Sequence, residues 1–224
     1  MESTKNILEF KNITKKYAGV VALDNVSLAF RAGEVHALAG ENGAGKSTLI
    51  KSTTGAVIPT SGTILIDGKE YTNNLTPAIA KEQGVAVIYQ EFNLVNDISI
   101  AENVFLGSPI RTHGMIDMKA MVSESQKIFE QLGINIDVTA NVRTLTTGYQ
   151  QLVEIAKALA KNAKLLILDE PTSSLNEADS QALLDLLLKL KKEGLTSIII
   201  SHKLNEVSYV ADKITVIRDG STIE

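Results

Sequence analysis

The sequence predicts an α/β fold with a parallel sheet, and three observations predict it. Strands alternate with helices through the second half of the chain. A glycine-rich loop joins one early strand directly to a helix. The short run Lys164–Leu168, apolar past its first residue and ended by two acids, suits a strand buried on both faces.

The elements follow in order. Ile7–Thr14, Val26–Arg31 and Glu34–Ala39 are β-rich stretches separated by turn residues such as Ala32-Gly33. A helix pattern starts after Gly45 and stops near Gly55, where a glycine is expected past the last turn. Gly62–Ile66 with Asp67-Gly68 predicts a strand and a tight turn, and Val85–Tyr89 a further strand. From Ala101 to Gly133 the pattern is helical, a helical insertion in which Met115, Met118 and Met121 are expected to pack. Leu152, Ile155, Ala156 and Leu159 then share one helix face. Asn176 is placed to cap the next helix with Asp179 at the reciprocal position; Lys189, Lys191 and Lys192 offset its dipole before Gly194, with Lys191-Lys192 a solvated end. Leu195–Ile200 is a second buried strand, Lys203–Glu206 opens a short helix, and Ser221–Glu224 reads as a strand after the Asp219-Gly220 turn. No repeat, low-complexity tract or Pro-rich linker interrupts residues 1–224, so one domain with a helical arm is expected.

Composition narrows the function. The 22 basic and 26 acidic residues give a net charge of −4, which disfavours a nucleic-acid binder dependent on a dense cationic face. Aromatic residues are 4% with no Trp, too few for a base-stacking platform. With no cysteine, thiol nucleophiles and zinc–thiolate sites are excluded, and a reducing compartment fits. The opening Met1–Asn6 lacks a secretory pattern and no apolar run approaches the ~20 residues of a spanning helix. The expected location is therefore cytoplasmic, with any membrane role exercised through a partner. His36 and His113 show no metal-site spacing and are read as structural or solvated.

The segment Gly40-Glu41-Asn42-Gly43-Ala44-Gly45-Lys46-Ser47-Thr48 decides the chemistry. It follows a predicted strand and opens a helix, the setting of a Walker A phosphate loop. Glycines let main-chain N–H groups approach phosphate oxygens without a Cβ in the way. Lys46 offers its charge to the β- and γ-phosphates of ATP, Ser47 offers a hydroxyl to Mg²⁺, and the helix dipole points at the same place. A second segment supplies acids. The strand ending at Leu168 delivers Asp169 to its carboxyl end, where open α/β sheets bind ligands, as the Walker B residue for Mg²⁺. Glu170 beside it is the candidate to polarise the attacking water. Alone, the two acids fit a solvated strand end before Pro171 equally well; beside the phosphate loop they do not.

With these residues in place, nearly the whole chain, Ile7 to Ile223, resembles the ATP-binding cassette (ABC) ATPases. The resemblance implies a P-loop NTPase of the ABC type: a mixed sheet core, an N-terminal antiparallel β region and a helical subdomain at about residues 100–162. It implies that Gln90, after the strand Val85–Tyr89, touches Mg²⁺ and faces a permease, and that His202 senses the γ-phosphate. It implies that Tyr17 stacks on adenine and that Pro171–Leu175 is a D-loop. The family's signature loop, usually Leu-Ser-Gly-Gly-Gln, reads here Leu145-Thr146-Thr147-Gly148-Tyr149-Gln150 and is expected to begin a helix Tyr149–Asn162. In the family Thr146, Thr147, Gly148 and Tyr149 would face the nucleotide of the opposite cassette. Thr147 therefore puts that other composite site in question.

Gly40–Leu49, Gln90–Val95, Ser99–Gly107 and Val153–Leu159 look more narrowly like the ATPases of monosaccharide importers of the ribose/galactose/xylose type. Those carry two cassettes in one chain, and this sequence is similar to the first, so a piece truncated before a second cassette is expected. The implied partners are transmembrane permease subunits, a second cassette in the same chain or in a homodimer, and, indirectly, a periplasmic or extracellular sugar-binding protein. The place implied is the cytoplasmic face of the membrane, and no nucleic acid is expected. Two other readings stay open: a nucleotide-dependent dimerising clamp with little hydrolysis, and an ABC ATPase with no transport role.

Overall fold

The computed structural model describes residues 5–71 and 73–223; Met1–Thr4 and Glu224, parts of the opening and closing segments read above, lie outside the described residues. The order is β1 (Asn6–Tyr17), β2 (Val20–Arg31), β3 (Val35–Ala39), α1 (Lys46–Thr53), β4 (Ser61–Ile66), β5 (Lys69–Tyr71), α2 (Pro77–Glu82) and β6 (Val85–Ile88). Then follow α3 (Ile100–Val104), β7 (Arg111–Thr112), β8 (Met115–Ile116), α4 (Met118–Leu132) and, past a 3₁₀ turn at Val142–Thr144, α5 (Thr147–Leu159). The chain continues with β9 (Leu165–Asp169), α6 (Glu177–Lys192), β10 (Thr196–Ile200), α7 (Leu204–Val210), β11 (Lys213–Arg218) and β12 (Ser221–Ile223).

Two principal sheets form. The first is antiparallel, in the order β2-β1-β4-β5; the second runs β12-β11-β3-β10-β9-β6. In the second, β11, β3, β10, β9 and β6 are mutually parallel and only β12 runs against its neighbour. Alternation along β9 shows how this sheet divides the interior. Leu165 and Ile167 join a core shared with Leu49 and Ile50 of α1 and with the antiparallel sheet. Leu166 and Leu168 face a second core built with Leu183 and Leu187 of α6 and Val153 and Ala156 of α5. The central strands β3, β10 and β9 are therefore buried on both faces, while β11 near the edge leaves Ile214 and Val216 exposed. Among the described residues no helix is long and apolar enough to cross a membrane.

The Asn176 half of the expected α6 cap forms, while Asp179 meets the Asn176 side chain instead of returning to its main-chain N–H. The Asn176 side chain accepts the Asp179 N–H at 2.8 Å and donates to the Asp179 carboxylate at 2.9 Å. At the other end Lys191 is not simply solvated: its ammonium pairs with Asp212, which also accepts the Val35 N–H at 2.8 Å.

The helical insertion needs correction. A hairpin, β7–β8, interrupts it at His113-Gly114, whose φ values of 53° and 84° form a two-residue turn. Met115 (74% exposed) and Met118 (43%) stand in solvent because no layer covers a two-stranded hairpin or the first turn of α4; only Met121 packs in the core.

His36, read as structural, is buried in β3. Its Nε2 lies 2.7 Å from Thr215 Oγ1 and its ring packs tilted against Phe30 with centroids 4.6 Å apart, while Nδ1 has no partner. Burial, with a smaller contribution from Lys213, lowers its pKa to about 4. The folded protein thus binds fewer protons than the unfolded chain between about pH 4 and 6.5. This contribution is complete above pH 6.5 and is lost as pH falls through that window, up to about 3 kcal/mol. His36→Asn is expected to flatten denaturant-measured stability between pH 6.5 and 4.5; an unchanged slope would refute the assignment.

Candidate active site

The sheet ends gather the residues singled out in the sequence. Between β3 and α1 the loop turns sharply: Gly40, Gly43 and Gly45 have φ of 154°, 83° and 108°. A Cβ on Gly45 would meet Ala22 O at 2.5 Å and Leu23 Cδ2 at 2.9 Å, so both conformation and space require glycine there. Gly45 is the N-cap of α1 and provides no side-chain cap, which leaves the first-turn N–H groups available to an anion.

A cavity of about 280 Å³ opens above this nest. Asn42, Gly43, Gly45, Lys46, Ser47, Thr48, Gln90, Asp169 and Glu170 line it, with Val20 and Ala22 of β2. Loop, strand-end acids and the glutamine after β6, distant in sequence, meet in one depression. Gly40 and Ala44 of the same loop do not line it and are packed against the chain around β11 and β12. A Cβ on Gly40 would strike Ile217 O at 2.2 Å, and Ala44 O accepts the Gly220 N–H at 3.1 Å. Tyr17, half-exposed at the end of β1, does not line the cavity, but its cross-strand partner Val20 does.

Electrostatics fit a cation beside an anion. Lys46 folds back on its loop, donating to Gly40 O at 2.6 Å and Glu41 O at 2.9 Å, the bonds it must exchange to reach a phosphate. Burial first, and Glu170 second, raise the Asp169 pKa against the opposing pull of Lys46 and Lys51. A half-buried carboxyl raised in this way favours a neighbouring cation, which would pull its pKa back down. Ser47, Gln90 and Asp169 together also line a neighbouring hollow of about 430 Å³. Their oxygen atoms form a hard donor set suited to Mg²⁺, which keeps water and phosphate in its shell. Among the described residues no group of three or more His, Cys, Asp or Glu could hold a metal ion.

Glu170 adopts φ 48°, a left-handed conformation that costs a non-glycine residue on the order of 1 kcal/mol. Its N–H is held by Ile200 O at 2.9 Å, and its Oε1 lies 3.1 Å from His202 Nδ1. The strand-end turn thereby joins the acid after β9 to the histidine after β10. His202 stands largely in solvent and lines a separate surface hollow with Leu175 and Tyr209 rather than the loop cavity.

Thr146, Thr147, Gly148 and Tyr149 are elsewhere, at the N-terminus of α5, and do not line the cavity. The helix begins at Thr147, two residues earlier than expected, and Thr146 makes no side-chain cap. The first turn therefore presents main-chain N–H groups here too. Gly148 is constrained within its own chain, since a Cβ would come 2.9 Å from the Asp179 carboxylate. Sequence reasoning missed Lys51, which lines the neighbouring hollow beside Ser47 and Asp169; its spacing of four from Ser47 on α1 was the available signal.

A strand–glycine loop–helix with two acids at the end of the next strand but one, β10 lying between, defines a P-loop nucleotide-binding fold. The sequence profile of the ABC transporter family matches residues 23–173, and the chain belongs to that family. It is 50% identical over 220 residues to the xylose import ATP-binding protein XylG of Geobacillus kaustophilus, covering 97% of this chain and 43% of that protein. It is 44% identical over 223 residues to the ribose import ATP-binding protein RbsA 2 of Escherichia coli O157:H7, covering 100% and 44%. Among solved structures it is similar to an ATP-binding cassette of an ABC transporter in its ADP conformation, with a TM-score of 0.87 and 30% identity over 98% of this chain and 90% of that one. The chain thus spans less than half the length of the curated relatives it matches.

Proposed function

We propose that this chain is the first of two cassettes in an ATPase that powers monosaccharide import through an ABC transporter. The observation that carries the reading is the single cavity shared by the Gly40–Thr48 loop, Gln90, Asp169 and Glu170. Identity at the level of one half to relatives named for xylose import, and 44% to one named for ribose import, supports the sugar class.

In this reading the loop N–H groups and Lys46 hold the β- and γ-phosphates of ATP, and Tyr17 stacks on the adenine. Ser47, Gln90 and Asp169 hold Mg²⁺, which when bound neutralises charge building on the phosphates. Glu170 accepts a proton from the attacking water, and His202, held through Nδ1 by Glu170, presents Nε2 to the γ-phosphate. Thr146, Thr147, Gly148 and Tyr149 face the nucleotide of the second cassette, and that cassette completes the site built on Lys46. Permease subunits dock near Gln90 and the helical arm, so the chain works peripherally at the cytoplasmic face; the permease and a sugar-binding protein outside select the cargo. The presence of Glu170 and His202 favours hydrolysis over a passive clamp.

Reconstitution tests the transport reading. Vesicles carrying the permease and the full-length ATPase, supplied with Mg-ATP on the ATPase side, are expected to transport labelled ribose, xylose, arabinose or galactose. No transport across that panel, with ATP hydrolysis intact, would overturn the sugar assignment.

A further inference from the structure

The end of β1 is tied to the loop between α1 and β4 at three successive residues. Thr14 O accepts the Thr60 N–H at 2.8 Å, and the Lys16 N–H donates to Thr60 Oγ1 at 3.0 Å. Between them the Lys15 ammonium donates to Ile58 O at 2.8 Å. That same ammonium lies 5.0 Å from the centroid of the Tyr17 ring, within the ~6 Å at which an aromatic face holds a cation. Lys15 and Tyr17 are alternate residues of one strand and so share a face of it.

The bond to Ile58 matters to the ring. A lysine free in solvent keeps its ammonium hydrated and its stem mobile, and its contact with an aromatic face then contributes little. Here a carbonyl fixes the ammonium over one face of Tyr17. The ring, 47% exposed, is left with its opposite face for a flat partner. A cation on one face draws π density toward itself, which suits the other face to an electron-rich base. The ring is also placed relative to the phosphate loop. Ile58-Pro59-Thr60 follow α1, whose N-terminus carries that loop, and Tyr17 pairs with Val20, which lines the loop cavity.

We propose that Lys15 is a positioning residue for base recognition: held by Ile58 O, it seats the Tyr17 ring and so favours a nucleoside triphosphate over a triphosphate without a base. The proposal rests on the nucleotide reading above and adds to it a group that touches neither base nor phosphate.

Calorimetry on this chain with Mg-ATP and with Mg-tripolyphosphate tests it. The variants are Lys15→Met, which keeps the stem and loses the charge, Lys15→Arg, Tyr17→Ala, and Lys15→Met combined with Tyr17→Ala. Tyr17→Ala is expected to weaken Mg-ATP on the order of tenfold, as loss of a stacked base does. Lys15→Met is expected to weaken Mg-ATP about two- to fivefold and to leave Mg-tripolyphosphate unchanged. It is expected to add nothing in the Tyr17→Ala background, and Lys15→Arg is expected to bind as the parent does. Equal weakening of both ligands, which marks a general pull on phosphate, overturns the proposal. So does a Lys15→Met effect that persists without the Tyr17 ring, or one that is absent while Tyr17→Ala weakens binding. Tyr17→Ala with the parent's affinity for Mg-ATP refutes the stacking on adenine and the proposal with it. NMR of the free chain reads the contact without a nucleotide. The Lys15 ε-methylene protons are expected upfield of their ordinary position and to move back in Tyr17→Leu; ordinary shifts in the parent overturn the proposal even where ATP binds. A parent that binds neither ligand refutes the nucleotide reading, and the NMR result still decides whether Lys15 seats the ring.

Discussion

Replacing Glu170 with glutamine is expected to lower ATP hydrolysis by the full-length protein about 10²- to 10⁴-fold, the range typical of a general base. The substitution is conservative where structure is concerned. An amide oxygen can still accept from His202 Nδ1, as Glu170 Oε1 can across 3.1 Å, and the main chain keeps the bond to Ile200 O. What disappears is the capacity to take a proton from water. Binding of Mg-ATP is expected to be retained, because Lys46, the loop amides and Asp169 are untouched. A variant hydrolysing at the parent rate would remove Glu170 from the catalytic role and return the clamp reading to the front.

Lys46→Ala carries the second large effect, on binding. Its ammonium donates to two main-chain acceptors of its own loop, Gly40 O and Glu41 O, and is expected to exchange them for phosphate oxygens. A hydrogen bond between charged partners contributes about 1.5–3 kcal/mol, so Mg-ATP affinity is expected to fall about 10- to 100-fold by calorimetry. The loss is expected to be smaller for Mg-ADP, which lacks the γ-phosphate. Thermal denaturation separates this from misfolding: the backbone bends at Gly43 and Gly45 do not depend on the lysine, so the melting temperature should shift little. Unaltered affinity for Mg-ATP would refute the phosphate role.

The parallel sheet was the most legible part of the fold, and the reason is periodicity. Leu165–Leu168 and Thr196–Ile200 are buried on both faces, so Leu165–Leu168 and Ile198–Ile200 are unbroken apolar runs that end close to the residues that matter. The β1–β2 hairpin was read only in part. Val20–Asn25 was missed because irregularities between Phe10 and Ile13 and between Ile13 and Lys15 disturb the two-residue alternation, and Asn12 and Asn25 adopt positive φ. The short hairpin inside the helical arm was hidden by strands of two residues, too brief for any pattern to register.

The phosphate loop was legible because its chemistry is local: glycines, lysine and hydroxyl lie within nine residues of chain. The convergence of Gln90 with Asp169 was not, since it depends on β6 and β9 pairing side by side, from Val85↔Leu165 to Ile88↔Leu168. The left-handed turn at Glu170 and its bond to His202 were invisible for a related reason, because β10 must lie against β9 to supply Ile200 O. Lys15 is the extreme case, as nothing about a lysine near a strand end announces that its ammonium will be held by a carbonyl 43 positions away.

The most direct measurement is a crystal structure of this chain with Mg²⁺ and a non-hydrolysable ATP analogue. The predicted result has Lys46 Nζ released from Gly40 O and Glu41 O onto the β- and γ-phosphates, with Ser47 and Asp169 turned to the metal. An analogue bound away from the Gly40–Thr48 bend, or a lysine still closed on its own loop beneath the phosphates, would contradict it.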